Sequence, residues 1–357
     1  MSQDQSNSQA TMSAIADAAD VSISTVSRVL AGGQGISSKT IDKVRKTAQQ
    51  LGYRPKSSNV GRPQSKARQK MLKLGLLHTF TGEYVPEHSI QVYLHQKLMI
   101  ETWRSAHQLG HQLVIDYLDL EHPDQSPLLS PQAGIDGLIL KGAVTQKALN
   151  LLPANLPTVV LRLPMGMPCP YTSVNCNYHT GISRCVQYLH KLGHQRIAFF
   201  CFANQRFDNL DKISSYQQTL MSLGLEDDKY IAMPELKEHP DAESGCQWAL
   251  EKWLNMDKAP TAIISSEGFC FEFDKLLKKR GLRIPEDISL LDAVTGASRH
   301  DSLREHYTRL QMPAQQMSQT AVEHLIRHIR HPQAPPQTVL MEMDFIEGDT
   351  TAPPPSD

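Results

Sequence analysis

The stretch TMSAIADAADVSISTVSRVL, residues 11–30, contains two short segments with helical periodicity around the polar break DVS at 20–22. Thr11 can cap the first segment, in which Ile15 and Ala19 lie one helical turn apart on the same face. Two helices this short cannot enclose a core by themselves, so a third helix is required. The tight break between them is typical of a helix-turn-helix unit.

The residues that follow supply this third helix. AGGQGI at 31–36 is too rich in glycine to continue a helix, and Ser37 can cap the segment SKTIDKVRKTAQQLGY at 38–53. The apolar stripe of this segment consists of Ile41, Val44, Ala48 and Leu51. The pattern therefore predicts a small all-α domain of three helices, in which the stripe closes the core.

The second helix of this domain has two different sides. Its apolar side consists of Val26, Val29 and Leu30, and its opposite side of Ile23, Ser24, Ser27 and Arg28. Small hydroxyl side chains permit close approach to a DNA groove, and an arginine can bind a guanine edge or a phosphate. The unpaired N–H groups at the starts of the first and third helices, with Thr11, Ser37 and Ser38, are natural phosphate ligands. The pattern alone also allows a three-helix bundle that binds no nucleic acid.

Charge separates this N-terminal region from the rest of the chain. Residues 1–70 contain eleven Lys or Arg and four Asp or Glu, a net charge of +7. Residues 71–357 contain 25 Lys or Arg and 33 Asp or Glu, a net charge of −8. A basic N-terminal region on an acidic remainder indicates a polyanionic partner for that region alone.

Residues 11–55 resemble the N-terminal module of the LacI/GalR family of bacterial transcription regulators. The matching positions are Val21, Ser22, Thr25, Val26, Ser27, Arg28, Val29, Leu30, Ser37, Thr40, Val44, Leu51, Gly52, Tyr53 and Pro55. In the family, the two variable residues before T-V-S-R read bases in the major groove, and here they are Ile23 and Ser24. Asp20 replaces the family's turn glycine, which implies either a strained turn or a left-handed Asp. Ala31 replaces an Asn that often contacts DNA.

The resemblance implies a set of DNA-contacting residues. They are Thr11, Ser22, Ile23, Ser24, Thr25, Ser27, Arg28, Ser37, Ser38, Thr40, Tyr53 and Arg62. It also implies a homodimer that binds double-stranded operator DNA and regulates transcription, with repression as the family's usual outcome.

The segment YRPKSSNVGRPQSKARQK, residues 53–70, contains six Lys or Arg and no acidic residue. Family members carry here a short hinge helix whose Leu enters the minor groove, but Arg62 occupies that position. Pro63 restricts Arg62 to extended backbone, and Gly-Arg-Pro resembles the core of an AT-hook, whose arginine lies in a narrow minor groove. Three interpretations stay open, namely minor-groove insertion, phosphate attraction and an inert linker.

From Leu72 onward, short runs of β-branched and other apolar residues alternate with helical segments. Such alternation predicts parallel sheets that are covered by helices on both faces. The pattern restarts after the proline-rich segment 164–170 with TSVNC at 172–176, which predicts two similar lobes. In folds of this type a ligand binds at the carboxyl ends of the strands, here facing the cleft between the lobes.

Three segments of this region also resemble the LacI/GalR family. They are LHKLGHQRIAFF (189–200), KKRGLRIPEDISLL (278–291) and YTRLQMPAQQMSQTAVEHLIRHI (307–329). The resemblance implies a two-lobed, periplasmic-binding-protein-like domain for effector binding and dimerisation. We therefore expect a DNA-binding domain at 10–56, a basic hinge at 57–70, the effector domain at 71–347 and a disordered tail at 348–357.

The positions that bind effectors in sugar- and purine-responsive family members differ in this chain. The corresponding residues are Asn177, Lys212, Ser266, Glu267 and Thr295. They stand where such members have Asp, Arg and Asn, and a lysine does not reproduce the paired hydrogen bonds of an arginine. The effector, a sugar or a related metabolite, is thus atypical, or the domain serves only dimerisation. A cytoplasmic solute-binding protein is a further alternative, against which the helix-turn-helix domain argues.

Other kinds of chemistry have little support in the sequence. It lacks GxSxG, Walker, GxGxxG and HExxH motifs, so we expect neither an enzyme nor a cofactor. Three histidine pairs have the i,i+4 spacing of zinc ligands, and we expect them on the surface instead. They are His107 with His111, His190 with His194, and His324 with His328. Six cysteines without a CxxC, no signal peptide and no apolar run of about 18 residues predict a soluble cytoplasmic protein without a membrane segment.

Overall fold

The computed structural model describes most of the chain, which divides into two compact units. These are Met1–Lys70 and Met71–Asp357, which we call the head and the body. The described residues are 11–30, 36–51, 53, 70–80, 91–123, 126–164, 166–203, 207–225, 228–235, 237–266, 268–295 and 306–355. Of residues 91–95, 207, 208, 228, 294 and 295, only the backbone is described.

The described residues of the head form three helices, α1 (Met12–Ala19), α2 (Ile23–Leu30) and α3 (Ser38–Gln50). Thr11 and Ser37 are the N-caps of α1 and α3, and each side chain accepts a hydrogen bond from the backbone N–H three residues later. Buried side chains from all three helices form one small core. Its members are Ile15, Ala16, Ala19, Val26, Val29, Val44 and Ala48. The predicted all-α fold of this unit is confirmed.

The turn between α1 and α2 contains a left-handed residue. Asp20 has φ 51° and ψ 53°, and the N–H of Val21 donates to the carbonyl of Ala16 at 3.0 Å. A short polar side chain tolerates this conformation better than most, so α1 ends here without a glycine. Of the two expectations for Asp20, the left-handed residue is the one that the structure shows.

The first lobe of the body is a six-stranded sheet with helices on both faces. Its strands are β1 (Lys73–Phe80), β2 (Gln112–Asp119), β3 (Gly137–Gly142), β4 (Thr158–Leu161), β5 (Thr172–Cys176) and β11 (Thr338–Met341). Its helices are α4 (Gln91–Gln108), α5 (Gln146–Asn150) and α10 (Ala314–Arg330). The strands are all parallel, in the order β11-β5-β4-β3-β1-β2. Side chains of α4 and α10 pack on one face of the sheet and those of α5 on the other.

The second lobe repeats this arrangement with a second sheet. Its strands are β6 (Ile197–Phe200), β7 (Ile231–Ala232), β8 (Ala262–Ser266), β9 (Ser289–Thr295), β10 (Thr308–Gln311) and β12 (Asp344–Ile346). Its helices are α6 (Tyr178–Lys191), α7 (Phe207–Ser222), α8 (Ala242–Leu254) and α9 (Cys270–Lys279). The order is β12-β10-β9-β8-β6-β7, and every pair is parallel except β10 with β12. Short 3-10 turns lie at Pro127–Leu129, Pro131–Ala133 and Asp228–Tyr230. The predicted pair of helix-covered parallel sheets is confirmed.

The boundary between the lobes differs from the one expected at the proline-rich segment 164–170. The strand TSVNC, β5, pairs with β4 and therefore belongs to the first lobe instead of opening the second. The chain passes to the second lobe at Asn177, returns with α10, and passes again between β11 and β12. The expectation was wrong because a short apolar strand carries no signal for the sheet that it joins.

The C-terminal residues are held against the second lobe. Leu290 and Thr350 exchange two hydrogen bonds, from Leu290 N–H to the Thr350 carbonyl at 2.8 Å and from Thr350 Oγ1 to the Leu290 carbonyl at 2.6 Å. The N–H of Ala352 donates to Ser289 Oγ at 3.0 Å. The expected disordered tail is therefore wrong for residues 348–355, because hydroxyls and backbone groups of this polar segment find partners at the sheet. Within the described residues, no helix has the length and apolar character needed to cross a bilayer.

Candidate DNA-binding surface and effector cleft

The second helix of the head, α2, separates buried from exposed residues as the pattern predicted. Val26 and Val29 are buried in the head core. The exposed positions of α2 are Ile23, Ser24, Ser27 and Arg28. With only eight residues, α2 owes its place to this packing, because isolated helices of such length are unstable. On its exposed side, α2 thus carries three polar side chains, Ser24, Ser27 and Arg28, and one large apolar side chain, Ile23.

Hydroxyl groups are linked at the start of α2. Ser22 Oγ lies 2.8 Å from both Ser24 Oγ and Thr25 Oγ1, and it accepts the Thr25 N–H at 3.1 Å. Ser22 therefore caps the helix and also orients the two neighbouring hydroxyls. An oriented hydroxyl loses less rotational freedom when it binds DNA than a freely rotating one.

The other candidate DNA contacts of the head are placed as follows. Thr11 and Ser37 are exposed and act as helix caps, and Ser37 Oγ also lies 2.8 Å from Thr40 Oγ1. Ser38 is exposed at the first position of α3. Tyr53 packs against the head core and keeps part of its surface exposed. Arg62 and the hinge residues 57–69 lie outside the described residues.

Two of the candidate effector residues meet in the second lobe. Lys212 on α7 is fully buried, and its Nζ donates to Asn209 Oδ1 at 3.1 Å and to Ser266 Oγ at 3.2 Å. The same Nζ lies 5.2 Å from the centre of the Tyr178 ring, in cation–π range. Ser266 ends β8, so the pair lies at the carboxyl edge of the second sheet, where this fold binds ligands. Lys212 and Ser266 thus bind each other in this conformation.

Asn177 lies where the chain first passes from one lobe to the other. Its Oδ1 accepts the Thr180 N–H at 3.2 Å and so caps α6, while its Nδ2 donates to Glu342 Oε1 at 2.7 Å. Glu342 belongs to another passage between the lobes, between β11 and β12. Both polar atoms of the Asn177 side chain are therefore hydrogen-bonded, and the bond to Glu342 links two passages of the chain between the lobes.

The remaining candidate effector residues are only partly visible. Glu267 lies outside the described residues. Thr295 is the last residue of β9 and pairs with Gln311 of β10. Only the backbone of Thr295 is among the described parts of the chain.

Arg162 lies near the candidate effector residue Lys212, and the sequence did not reveal it. It follows β4 with φ 62°, a left-handed conformation that costs a non-glycine residue about 1–2 kcal/mol. Its Nε donates to the Tyr178 hydroxyl at 3.2 Å, so Arg162 and Lys212 contact the same tyrosine side chain, one at its hydroxyl and the other at its ring. Asn175 supports the turn by accepting the Leu163 N–H at 2.8 Å. No local pattern marks such an arginine, because its conformation is imposed by neighbouring strands.

The histidine pairs are not all on the surface. His107 is exposed and stacks on Trp103, but His111 is buried and its Nδ1 accepts the Leu72 N–H at 3.2 Å. His194 is buried as well, with Nδ1 2.8 Å from Thr261 Oγ1 and Nε2 2.9 Å from the Ala352 carbonyl. Burial lowers the pKa of both imidazoles, so they are held neutral. The expectation of surface histidines is wrong for these two because folding gives them buried partners.

Among the described residues, no three His, Cys, Asp or Glu side chains converge in a group that could hold a metal ion.

The first lobe exposes an apolar patch. Ile100 and Trp103 on α4 and Ile115 and Tyr117 on β2 have large exposed side chains. We call these four residues the α4–β2 patch. Among the described strands, β2 is also the last of its sheet, so this side of the sheet combines apolar surface with a strand edge.

Comparison with sequence models of protein families matches two parts of the chain. The sequence model described as bacterial regulatory proteins, lacI family, matches residues 11–56. The model of a periplasmic binding protein-like domain matches residues 186–351. Catabolite control protein A of Priestia megaterium is 27% identical over 283 residues, which cover 78% of this chain and 80% of that protein. The HTH-type transcriptional repressor CytR of Escherichia coli (strain K12) is 27% identical over 289 residues, 79% of each chain.

The fold is also found in solved structures. The crystal structure of the Lac repressor dimer bound to operator and the anti-inducer ONPF matches 96% of this chain and 99% of its own, with a TM-score of 0.62 and 21% identity. At that identity the likeness concerns the fold alone. The helix-turn-helix head, the two-lobed body and the regulators among the relatives all point to the same family. This chain therefore belongs to the LacI family of bacterial transcriptional regulators.

Proposed function

We propose that this regulator is a cytoplasmic repressor that binds a pseudo-palindromic operator as a homodimer. The observation that carries the proposal is the exposed side of α2, where Ile23, Ser24, Ser27 and Arg28 project from a helix anchored by Val26 and Val29. In helix-turn-helix proteins the second helix enters the major groove, and two-fold symmetry places two such helices in successive grooves. The net charge of +7 over residues 1–70 favours attraction to the phosphate backbone.

The α4–β2 patch supports the homodimer. Contiguous exposed apolar surface on a soluble protein marks an interaction site, and an isologous dimer would cover it with its own copy. The Lac repressor structure named above is likewise a dimer on its operator. The test of this part of the proposal is the oligomeric state of the Trp103→Glu variant. We expect this variant to be a monomer in sedimentation equilibrium and the wild type to be a dimer.

A small molecule in the cleft between the lobes is the proposed effector. The carboxyl edge of the second sheet holds Lys212 and Ser266, and Arg162 reaches the same region from the first lobe. Two cations at the Tyr178 side chain favour a ligand that carries an anionic or strongly accepting group, such as a sugar derivative with a phosphate or carboxylate.

A second candidate function is a body that only dimerises. It is favoured by the bonds of Lys212 to Ser266 and Asn209 and by the engagement of both ends of Asn177, which leave these groups committed within the protein. Thermal unfolding in the presence of sugars, phosphosugars and nucleosides separates the candidates. A stabilised complex supports the effector, whereas an unchanged Tm with every compound supports dimerisation alone.

For the hinge we propose contact with DNA through Arg62. Arg62→Ala is compared on operators that differ only in an A·T-rich or a G·C-rich centre. A larger loss on the A·T-rich centre supports minor-groove insertion. An equal loss supports phosphate attraction, and no loss supports an inert linker.

The experiment that tests the main proposal is selection of genomic fragments by the purified full chain. We expect the selected sites to share a two-fold symmetric motif, and we expect deletion of residues 1–56 to abolish their retardation in a gel. Sites without symmetry would contradict the dimer on a palindrome. Retardation that survives the deletion would contradict the head as the DNA-binding unit. We also propose that the chain is not an enzyme, in line with its regulator relatives.

A further inference from the structure

Ile23 is an exposed side chain that the fold of the head does not use. It begins α2, its surface is 53% exposed, and it is absent from the residues that form or contact the head core. Two other large apolar residues of the described head are exposed, Met12 at 38% and Leu51 at 41%. Neither of these belongs to α2. Ile23 thus places a branched apolar group on the one helix whose exposed side faces DNA in the proposed function.

The neighbours of Ile23 limit what this part of α2 can recognise. The hydroxyl of Ser24 lies 2.8 Å from that of Ser22, which also contacts Thr25. These hydroxyls are small and each can act as donor or acceptor, so they select poorly between bases. Arg28, more than one turn further along α2, is exposed and carries the fork that suits guanine. The first turn of α2 therefore offers apolar surface rather than a paired hydrogen-bonding edge.

We infer that Ile23 recognises a thymine in each half-site through its C5 methyl group. This inference rests on the proposed operator binding and names the base that one position prefers. The methyl of thymine is the only apolar group that a standard base pair presents in the major groove. Contact between this methyl and the Ile23 side chain removes both from water, which is favourable. Cytosine presents an amino donor at the corresponding edge, and an isoleucine would leave that donor without a partner.

The test isolates the methyl group. In a selected operator, each thymine in turn is replaced by deoxyuridine in both half-sites, which removes the methyl and leaves the hydrogen-bonding edges unchanged. Fluorescence anisotropy then gives Kd for the full chain at fixed salt. For one thymine position we expect affinity to fall about fourfold per half-site, about fifteenfold for the symmetric pair, the effect of removing one buried methyl.

Two variants assign the effect to Ile23. Ile23→Ala should bind the thymine and deoxyuridine operators with equal affinity, because the partner of the methyl is gone. Ile23→Val keeps a branched side chain and should retain most of the difference. Since Ile23 is exposed and outside the head core, we expect circular dichroism of both variants to match the wild type.

The outcomes are distinguishable. If the wild type binds a selected operator and no deoxyuridine substitution changes its Kd, the inference about Ile23 is wrong while operator binding stands. The inference is also wrong if the deoxyuridine effect persists undiminished in Ile23→Ala, because another residue then contacts the methyl. If the wild type prefers no sequence at all, the proposed function fails and the inference fails with it.

Discussion

The head and the body of this chain keep their functional side chains in opposite ways. In the head, the candidate DNA contacts on α2 are exposed, and the buried residues Val26 and Val29 only hold them in place. In the body, the candidate effector residues are already bonded within the protein. Lys212 donates to Ser266, and Asn177 donates to Glu342. A surface for DNA therefore follows from a local pattern, whereas a cleft for a small molecule depends on which distant side chains meet there.

Strands β1 and β3 of the body approach each other closely at Gly142. Gly142, at the carboxyl end of β3, has φ 103°, and an added Cβ would collide with the Thr79 carbonyl oxygen. We expect Gly142→Ala to lower the free energy of unfolding of the body by about 3 kcal/mol or more, from backbone strain and the clash together. Urea unfolding followed by tryptophan fluorescence measures this, because all three tryptophans lie in the body.

Gly110→Ala is the matched control for this prediction. Gly110 has φ 78°, but apart from its chain neighbours no described residue has an atom within 4 Å of an added Cβ. We expect a loss of about 1–2 kcal/mol from conformation alone. Equal losses in the two variants would show that the contact with Thr79 contributes nothing.

The exposed arginine of the head should affect binding without affecting folding. We expect Arg28→Ala to weaken operator binding by about 1–3 kcal/mol and to broaden the preference at one base position. Fluorescence anisotropy with the selected operator and its single-base variants measures both. Arg104→Ala is the control, an exposed arginine of the body that pairs with Glu101. An unchanged set of selected sites for Arg28→Ala would remove this residue from base recognition.

Helix caps occur in both units and allow a direct comparison. Ser37→Ala in the head and Asn177→Ala in the body each remove an N-cap, and we expect each to cost about 1 kcal/mol in its own unit. In the wild type, Glu342 accepts a hydrogen bond from Asn177 Nδ2. Asn177→Asp keeps the cap but replaces this donor with a carboxylate next to Glu342. We expect Asn177→Asp to lose stability that salt partly restores. If salt has no effect on it, the tie between Asn177 and Glu342 does not matter for stability.

The smallest expected effect is a pH dependence confined to the body. All fifteen histidines lie there, and burial lowers the pKa of His111 and His194. The unfolded chain then binds protons at higher pH than the folded body, so stability is complete above about pH 6.5 and falls as pH decreases. We expect the Tm of the body to fall from pH 7 to pH 5 and that of the head to stay nearly constant.

The slope of Tm against pH identifies the groups responsible. His194→Gln should flatten the slope, whatever its effect on the absolute Tm, whereas substitution of the exposed His107 by Gln should not. An identical slope in both variants would exclude His194 as a source.

Much of the head could be predicted from the sequence, since each of its features is local. The caps Thr11 and Ser37, the break at 20–22 and the stripe of α3 involve residues within a few positions of one another. Part of the body followed in the same way, because strand and helix segments are recognisable by their period. The sheet that β5 joins, the docking of residues 348–355 and the burial of His194 did not, because each depends on partners far away in the chain.

The sequence by itself determined the two kinds of domain, the family and the side of α2 that is left exposed. The kinds of domain and the exposed side follow from periodicity, capping and charge, which act over one or two helical turns. The family follows from the resemblance of residues 11–55 to a known DNA-binding module. Only the tertiary structure decided that Arg162 and Lys212 contact one tyrosine side chain and that Asn177 links two passages of the chain between the lobes. The physical reason is that such contacts join residues from separate strands and lobes, and their geometry exists only after the sheets have formed.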